Sequence, residues 1–259
     1  MQSLNNTTDV QKFLQSGPLT NYRVHDLKLT KRVGGSKTDR EKIDVLLKYL
    51  HNHNRDAKTK RFIGENIFDR NVNEIMESGK MTGCTDWAMS FAAIARQHGI
   101  PTSFFTTAEK EWAEEVCKGE NKANSLRGHS FCECFIDGKW VLVDPTKSVV
   151  QDEYDADNLH LTGEKHFVGG KKDFIPYYRG LDIDECFKGR EKEGKFKPEI
   201  FLEYAQDMII KNNQENKAVI EPVTKEELTG AGFTGKETKI HIEKYLKQTK
   251  SKDVGLNRE

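Results

Sequence analysis

The stretch Gly128-His-Ser-Phe-Cys-Glu-Cys-Phe-Ile-Asp-Gly-Lys-Trp-Val-Leu-Val-Asp-Pro-Thr146 decides the fold of this chain. Two runs rich in aromatic and β-branched residues, Ser130–Ile136 and Lys139–Asp144, flank Asp137-Gly138. That dipeptide between such runs is the strongest short hairpin signal. A two-residue turn sets the register. Ile136 then faces Lys139, Phe135 faces Trp140, Glu133 faces Leu142 and Phe131 faces Asp144. Side chains alternate along a strand, so His129, Phe131, Glu133 and Phe135 share a face with Trp140, Leu142 and Asp144. His129 and Asp144 become diagonal neighbours, about 7–8 Å apart at the backbone, a gap side chains can bridge. Pro145 holds Asp144 extended. Glu133 lies two residues further from Asp144 and reads as a polar rim residue. Cys132 and Cys134 point to the opposite face. With no second pair at zinc spacing, they read as core packing rather than a metal site.

Upstream, the segment from Gly83 to Pro101 reads as the best-defined helix. Cys84, Ala88, Phe91, Ala92 and Ala95 recur at steps of three and four, with Trp87, Ile94 and His98 extending the stripe. Gly99 suits the position after the helix, and Ile100-Pro101 ends it. Small side chains let neighbours approach closely, so this helix should be central and buried on more than one side. Cys84 sits in its first turn. A helix N-terminus lowers a thiol pKa, as does a neighbouring imidazolium. If this N-terminus meets His129, then Cys84, His129 and Asp144 form a nucleophile, a base and an orienting carboxylate. Asp86, in the same turn, complements the helix dipole. Its charge opposes a thiolate, so a structural role is expected.

These two segments resemble the nucleophile helix, and the His strand, hairpin and Asp strand, of the transglutaminase-like superfamily. The order Cys, His, Asp and the Asp144-Pro-Thr146 ending both fit. The resemblance covers about residues 79–148, with a weaker likeness near Phe167–Leu181. It implies that Cys84 is the nucleophile, His129 the base and Asp144 the orienter, on a papain-like α+β scaffold. It also implies two oxyanion donors, the Cys84 N–H and a side chain N-terminal to Cys84 that the sequence does not identify. The papain signature, with an aromatic directly after the nucleophile, is absent; Trp87 comes three residues later. The superfamily holds transglutaminases, peptidases and peptide:N-glycanases, so the substrate stays open.

Away from this centre, the first 80 residues read as mainly helical. Thr38-Asp-Arg-Glu41 is a capping box ahead of Ile43, Leu46, Leu47 and Leu50. Val72, Ile75 and Met76 mark a short helix before Gly79, and residues 52–61 read as a solvated connection. Thr102–Thr106 is a third strand, followed by a polar insert at 107–128 that contains Trp112. Residues 151–195 read as a mostly irregular excursion with aromatic islands at Phe167, Phe174, Tyr177 and Tyr178. Pro198 opens a helix carrying Phe201, Tyr204, Ala205, Met208 and Ile209. A last helix is expected over Lys236–Gln248, with the final ten residues frayed.

The chain has 259 residues with 41 basic and 41 acidic side chains. That balance lacks the global basic excess of a nucleic-acid binder, and the excess after Gly235 reads as a solvated helix face. Leu, Ile, Val and Phe number 60, enough for a core at this length. No run approaches the ~18 apolar residues of a membrane span. The start, Met1-Gln-Ser-Leu-Asn-Asn-Thr-Thr-Asp9, carries no secretory signal. Five cysteines at irregular spacing argue against a disulfide framework, so a cytoplasmic location is expected. His51, His53, His160 and His166 show no ligand spacing.

The expected fold is α+β, with the nucleophile helix packed on an antiparallel β-sheet and helical N- and C-terminal additions. Residues 1–78 are read as a helical part of the same domain, 79–185 as the catalytic core and 186–259 as a helical extension. The expected function is thiol-dependent acyl transfer on a protein or peptide amide through a Cys84 thioester. No metal or organic cofactor and no nucleic-acid or membrane partner is implied; the oligomeric state is not determined. Hydrolysis is favoured over protein-glutamine γ-glutamyl transfer, because no second substrate domain is evident and only Trp87, Trp112 and Trp140 could wall out water. An arylamine acetyltransferase-type enzyme fits less well, given the Asp-Pro-Thr ending and the insert at 107–128. A catalytically idle protein-binding module is the alternative from another class.

Overall fold

A computed structural model describes residues 10–54, 70–119, 126–154, 159–161, 172–186 and 198–220. The chain divides into two compact units, residues 1–210 and 211–259. Helix α1 spans Leu27–Gly34, α2 Asp39–His53, α3 Val72–Ser78 and α4 Cys84–Gln97. Strand β1 (Thr102–Glu109) leads into α5 (Lys110–Lys118), followed by β2 (Gly128–Ile136), β3 (Lys139–Asp144) and β4 (Val149–Gln151). Strands β5 (Leu159–Leu161) and β6 (Lys172–Gly180) precede α6 (Pro198–Ile220). The six strands form one antiparallel sheet in the order β4-β3-β2-β1-β6-β5. In the second unit, residues 211–220 form the end of α6.

The hairpin has the register its turn requires, from Ile136↔Lys139 through Glu133↔Leu142 to Cys132↔Val143. Asp137 and Gly138 both take positive φ, 51° and 78°, as a type I′ turn demands. Helix α4 is buried on nearly every side, from Thr85 to Arg96. Ala88, Ala92 and Ala95 are fully covered, which lets α2, α3 and strands β1 and β2 all pack against it. The main core lies between these helices and one sheet face, where Cys132, Cys134, Val141 and Val143 point inward. On the other face Phe105, Phe131, Leu142 and Phe174 form a smaller cluster under Tyr154. The architecture is therefore α+β, with the Cys84 helix packed on an antiparallel sheet. No helix among the described residues is long and apolar enough to cross a membrane.

Several local expectations are corrected. The described residues of 151–195 are largely strand: β6 is an interior strand, paired with β1 and β5. Pro176 obscures it in the sequence, because proline donates nothing to a ladder. In the fold it sits where the register with β1 shifts between Thr106 and Thr107, and such a bulge tolerates it. The polar insert at 107–128 contains the end of β1 and helix α5, which buries Trp112, Ala113 and Val116. The capping box at Thr38 is half formed. Its hydroxyl accepts from the Glu41 N–H, but the Glu41 carboxylate accepts from the Lys37 N–H instead of closing on Thr38. A complete box caps α3, where Asn71 and Glu74 each accept from the other's backbone. The connection expected from residue 52 begins later, since α2 runs to His53. The proposed Lys236–Gln248 helix and Phe167 lie outside the described residues. Helix α6 does carry Tyr204, Ala205, Met208 and Ile209, with Ala205 and Ile209 buried.

Candidate active site

Gly83 is extended and begins α4, so Cys84 occupies the first helical position. The first-turn N–H groups of a helix have no intrahelical acceptor and point out of its end. The loop leading into this turn is tied down by Asp86. Its carboxylate accepts from the Thr82 N–H and hydroxyl, each at 2.8 Å, and pairs with Arg70 Nη2 at 2.6 Å. Arg70 also donates to the Lys80 carbonyl and the Ser78 hydroxyl. Asp86 is thus a structural anchor, and Arg70 neutralises a buried carboxylate near the thiol. Arg70 has no motif around it, and sequence reading passed it over.

His129 is the second residue of β2. Gly128 before it lies so close to β1 that a Cβ would collide with the Thr107 carbonyl. The diagonal pair forms, with His129 Nε2 3.1 Å from Asp144 Oδ2. Asp144 is buried, and its Oδ1 accepts from the Thr146 N–H at 3.0 Å. The edge of the His129 ring meets Phe131, with centroids 4.6 Å apart. Cys84 is half-buried, and the charge and hydrogen-bonding capacity of the His129 side chain act on its thiol. With Nε2 turned to Asp144, Nδ1 is the nitrogen left for the sulfur.

Burial pushes the Cys84 thiol up, but the His129 charge and hydrogen bonds from His129 and Ser130 more than offset it. The thiol lies below its ordinary range. Burial works against a charged His129, while the Cys84 thiolate and the Asp144 carboxylate raise its pKa to about 10. A thiolate beside an imidazolium is the favoured state of the pair. The other cysteines of β2 go the opposite way. Burial raises Cys132, and it raises Cys134 to about 12. Cys132 donates to the Ala88 carbonyl in the core.

His51 braces the site from α2. Its Nε2 donates to the Pro145 carbonyl at 2.8 Å, and its ring lies 4.4 Å from that of Trp87. Trp87 belongs to the core, and Trp112 is fully buried on α5. Trp140 packs edge-on against Phe13 and Phe135. Glu133 is not a rim residue. It is buried, accepts from Arg179 Nη2 at 2.7 Å and from Arg179 Nε, and also accepts from the Tyr154 hydroxyl. Its partner sits on β6, the strand that Pro176 disguises. Among the described residues no group of three or more His, Cys, Asp or Glu side chains is arranged to hold a metal ion.

The family model of the transglutaminase-like superfamily matches residues 27–145. That span contains α1 through β3 and all three residues of the site. No curated protein matches the chain. A crystal structure of a candidate cysteine protease from Cytophaga hutchinsonii resembles it at 15% identity and a TM-score of 0.45, over 70% of this chain and 50% of that one. The chain thus spans half the length of that protein. The similarity to the transglutaminase-like superfamily thus covers residues 27–145, a little under half of the chain.

Proposed function

We propose that the chain is a thiol-dependent enzyme that cleaves a protein or peptide amide through a Cys84 thioester, with water as the preferred acceptor. The observation that carries this reading is the setting of Cys84, His129 and Asp144 on a helix start and two adjacent strands, with His129 bonded to Asp144 at 3.1 Å and its charge acting on the Cys84 thiol. The Cys84 thiolate attacks the carbonyl carbon, and the carbonyl π pair moves to oxygen, facing the first-turn N–H groups. His129 gives its proton to the departing amine as the C–N bond breaks. Water then adds to the thioester, His129 takes its proton, and the C–S bond breaks with its electron pair returning to sulfur. Asp144 holds the imidazole in the orientation both transfers need.

Amine transfer shares the first half of this sequence. It needs water excluded on the acceptor side. With Trp87 and Trp112 committed to the core, two of the three tryptophans that could form an aromatic wall are spent elsewhere, which favours hydrolysis. The same reading takes a reducing, cytoplasmic setting, since the thiol must stay reduced, and no nucleic-acid or membrane partner. The test offers a glutamine-containing protein together with a fluorescent primary amine at pH 8, and follows products by mass spectrometry. Peptide cleavage or deamidation with a transient acyl adduct on Cys84 is expected. Stable amine incorporation without either would reverse the acceptor choice. No Cys84 adduct at all would remove the enzymatic reading.

A further inference from the structure

Asp144 orients His129, and Asp144 is itself held through the backbone that follows it. Its Oδ2 meets His129 Nε2 at 3.1 Å, and its Oδ1 accepts from the Thr146 N–H at 3.0 Å. That N–H belongs to the peptide unit joining Pro145 to Thr146. The carbonyl of the same unit lies 2.8 Å from His51 Nε2. A carbonyl oxygen only accepts, so the ring carries its proton on Nε2. A trans peptide unit is a stiff plane with its N–H and C=O pointing opposite ways. His51 therefore holds one end of a rigid plate whose other end holds the orienting carboxylate. The turn is closed behind it by the Lys147 N–H, which donates to the Asp144 carbonyl at 3.3 Å.

His51 is fixed in its turn by the nucleophile's own helix. Its ring tilts 33° against that of Trp87, with centroids 4.4 Å apart. Trp87 stands three residues after Cys84 on α4 and is buried. One side chain of α2 thus touches the Cys84 helix on one side and the Asp144 turn on the other. We propose that His51 is a positioning residue, which clamps the Pro145–Thr146 peptide and through it sets the Asp144 carboxylate against His129. Its action is partly geometric. With the carbonyl anchored, the plate cannot rotate away, so Oδ1 stays occupied and Oδ2 stays on His129. It is also electronic, because a donor on the carbonyl polarises the peptide and strengthens its N–H as a donor to the carboxylate. Neither effect requires His51 to touch a substrate.

The inference rests on the Cys84–His129–Asp144 reading, and a double-mutant cycle separates the two. Cys84 alkylation by iodoacetamide at pH 7 is followed on the full chain by quantifying the labelled peptide. His51→Phe keeps a ring against Trp87 but loses the donor. It should slow labelling about fivefold, the size of one neutral hydrogen bond. His51→Gln, whose amide can still donate to the carbonyl, should recover most of the rate. In an Asp144→Asn background, His51→Phe should add little further loss, because the residue acts through Asp144. A merely structural role would cost the same in both backgrounds. Equal losses in the two backgrounds, an unaffected rate in His51→Phe, or a His51→Gln chain as slow as His51→Phe overturns the proposal. If His51→Phe does not fold, His51→Asn replaces it in the same cycle, since its shorter amide falls short of the carbonyl, and the same outcomes decide. A wild-type Cys84 that labels no faster than Cys132 sinks the nucleophile reading itself.

Discussion

Cys84 heads α4, and Cys132 and Cys134 lie on β2, the strand that α4 packs against; their surroundings push the three thiols apart. Burial raises Cys132 and Cys134, whereas His129 and Ser130 bring Cys84 below the ordinary range. Iodoacetamide near neutral pH should therefore label Cys84 at least about tenfold faster than either of the others, since the thiolate is the reacting species. Equal labelling in the native state counts against a nucleophile at 84. Cys84→Ala should abolish turnover with little change in melting temperature. Asp144→Asn should leave folding intact and cut turnover by roughly 10²- to 10⁴-fold through the wrong imidazole tautomer. The pH dependence of stability follows from His129. Its folded pKa of about 10 stands above the ordinary 6.5, so the stabilisation from its charge is complete below pH 6.5 and fades as pH rises through 10. The stability gap between wild type and His129→Ala, read by urea unfolding, should narrow over that range.

Among the elements, β6 shows what pairing partners decide. Arg179 stretches across β1 to Glu133 on β2, lying 4.9 Å from the Phe105 ring centre on the way. The Glu133 side chain is 1% exposed and that of Arg179 12%, so neither charge is relieved by solvent. Removing one partner of a buried pair leaves the other uncompensated. Arg179→Met should cost about 3–5 kcal/mol in urea unfolding. The double variant Arg179→Met/Glu133→Leu should regain much of that loss, because no bare charge remains. A double variant as unstable as the single one would show that the pair does more than neutralise itself.

Across the first unit as a whole, one knot joins the N-terminal segment to the far end of β6. The Asp182 carboxylate accepts from the N–H groups of Leu19, Thr20 and Asp184. Nearby, Arg96 reaches from α4 to the Thr102 carbonyl, the Thr20 hydroxyl and the Leu181 carbonyl. Gly17 packs so tightly here that a Cβ would collide with the Asp182 carboxylate. That carboxylate cannot swing aside without surrendering three hydrogen bonds. Gly17→Ala should therefore destabilise the fold by about 1–3 kcal/mol, the usual cost of overpacking. A melting temperature equal to wild type would mean that the segment can shift instead.

What the residues determine alone is whatever depends on short spacing. The Asp137-Gly138 turn dictates the hairpin register, and the register delivers the His129–Asp144 pair within a single supersecondary unit. The small-residue stripe from Cys84 to Ala95 likewise specifies a central helix with the thiol at its start. These readings survive because turn chemistry and periodicity act over a few residues. The tertiary structure decides what depends on a partner far along the chain. Glu133 reads as a rim residue until Arg179, 46 positions away, lies beside it. Asp86 needs Arg70, and His51 needs the Pro145 carbonyl. No local pattern encodes such pairs. They exist only once a bulge lets Pro176 stay in an interior strand and α4 brings its first turn to the start of β2.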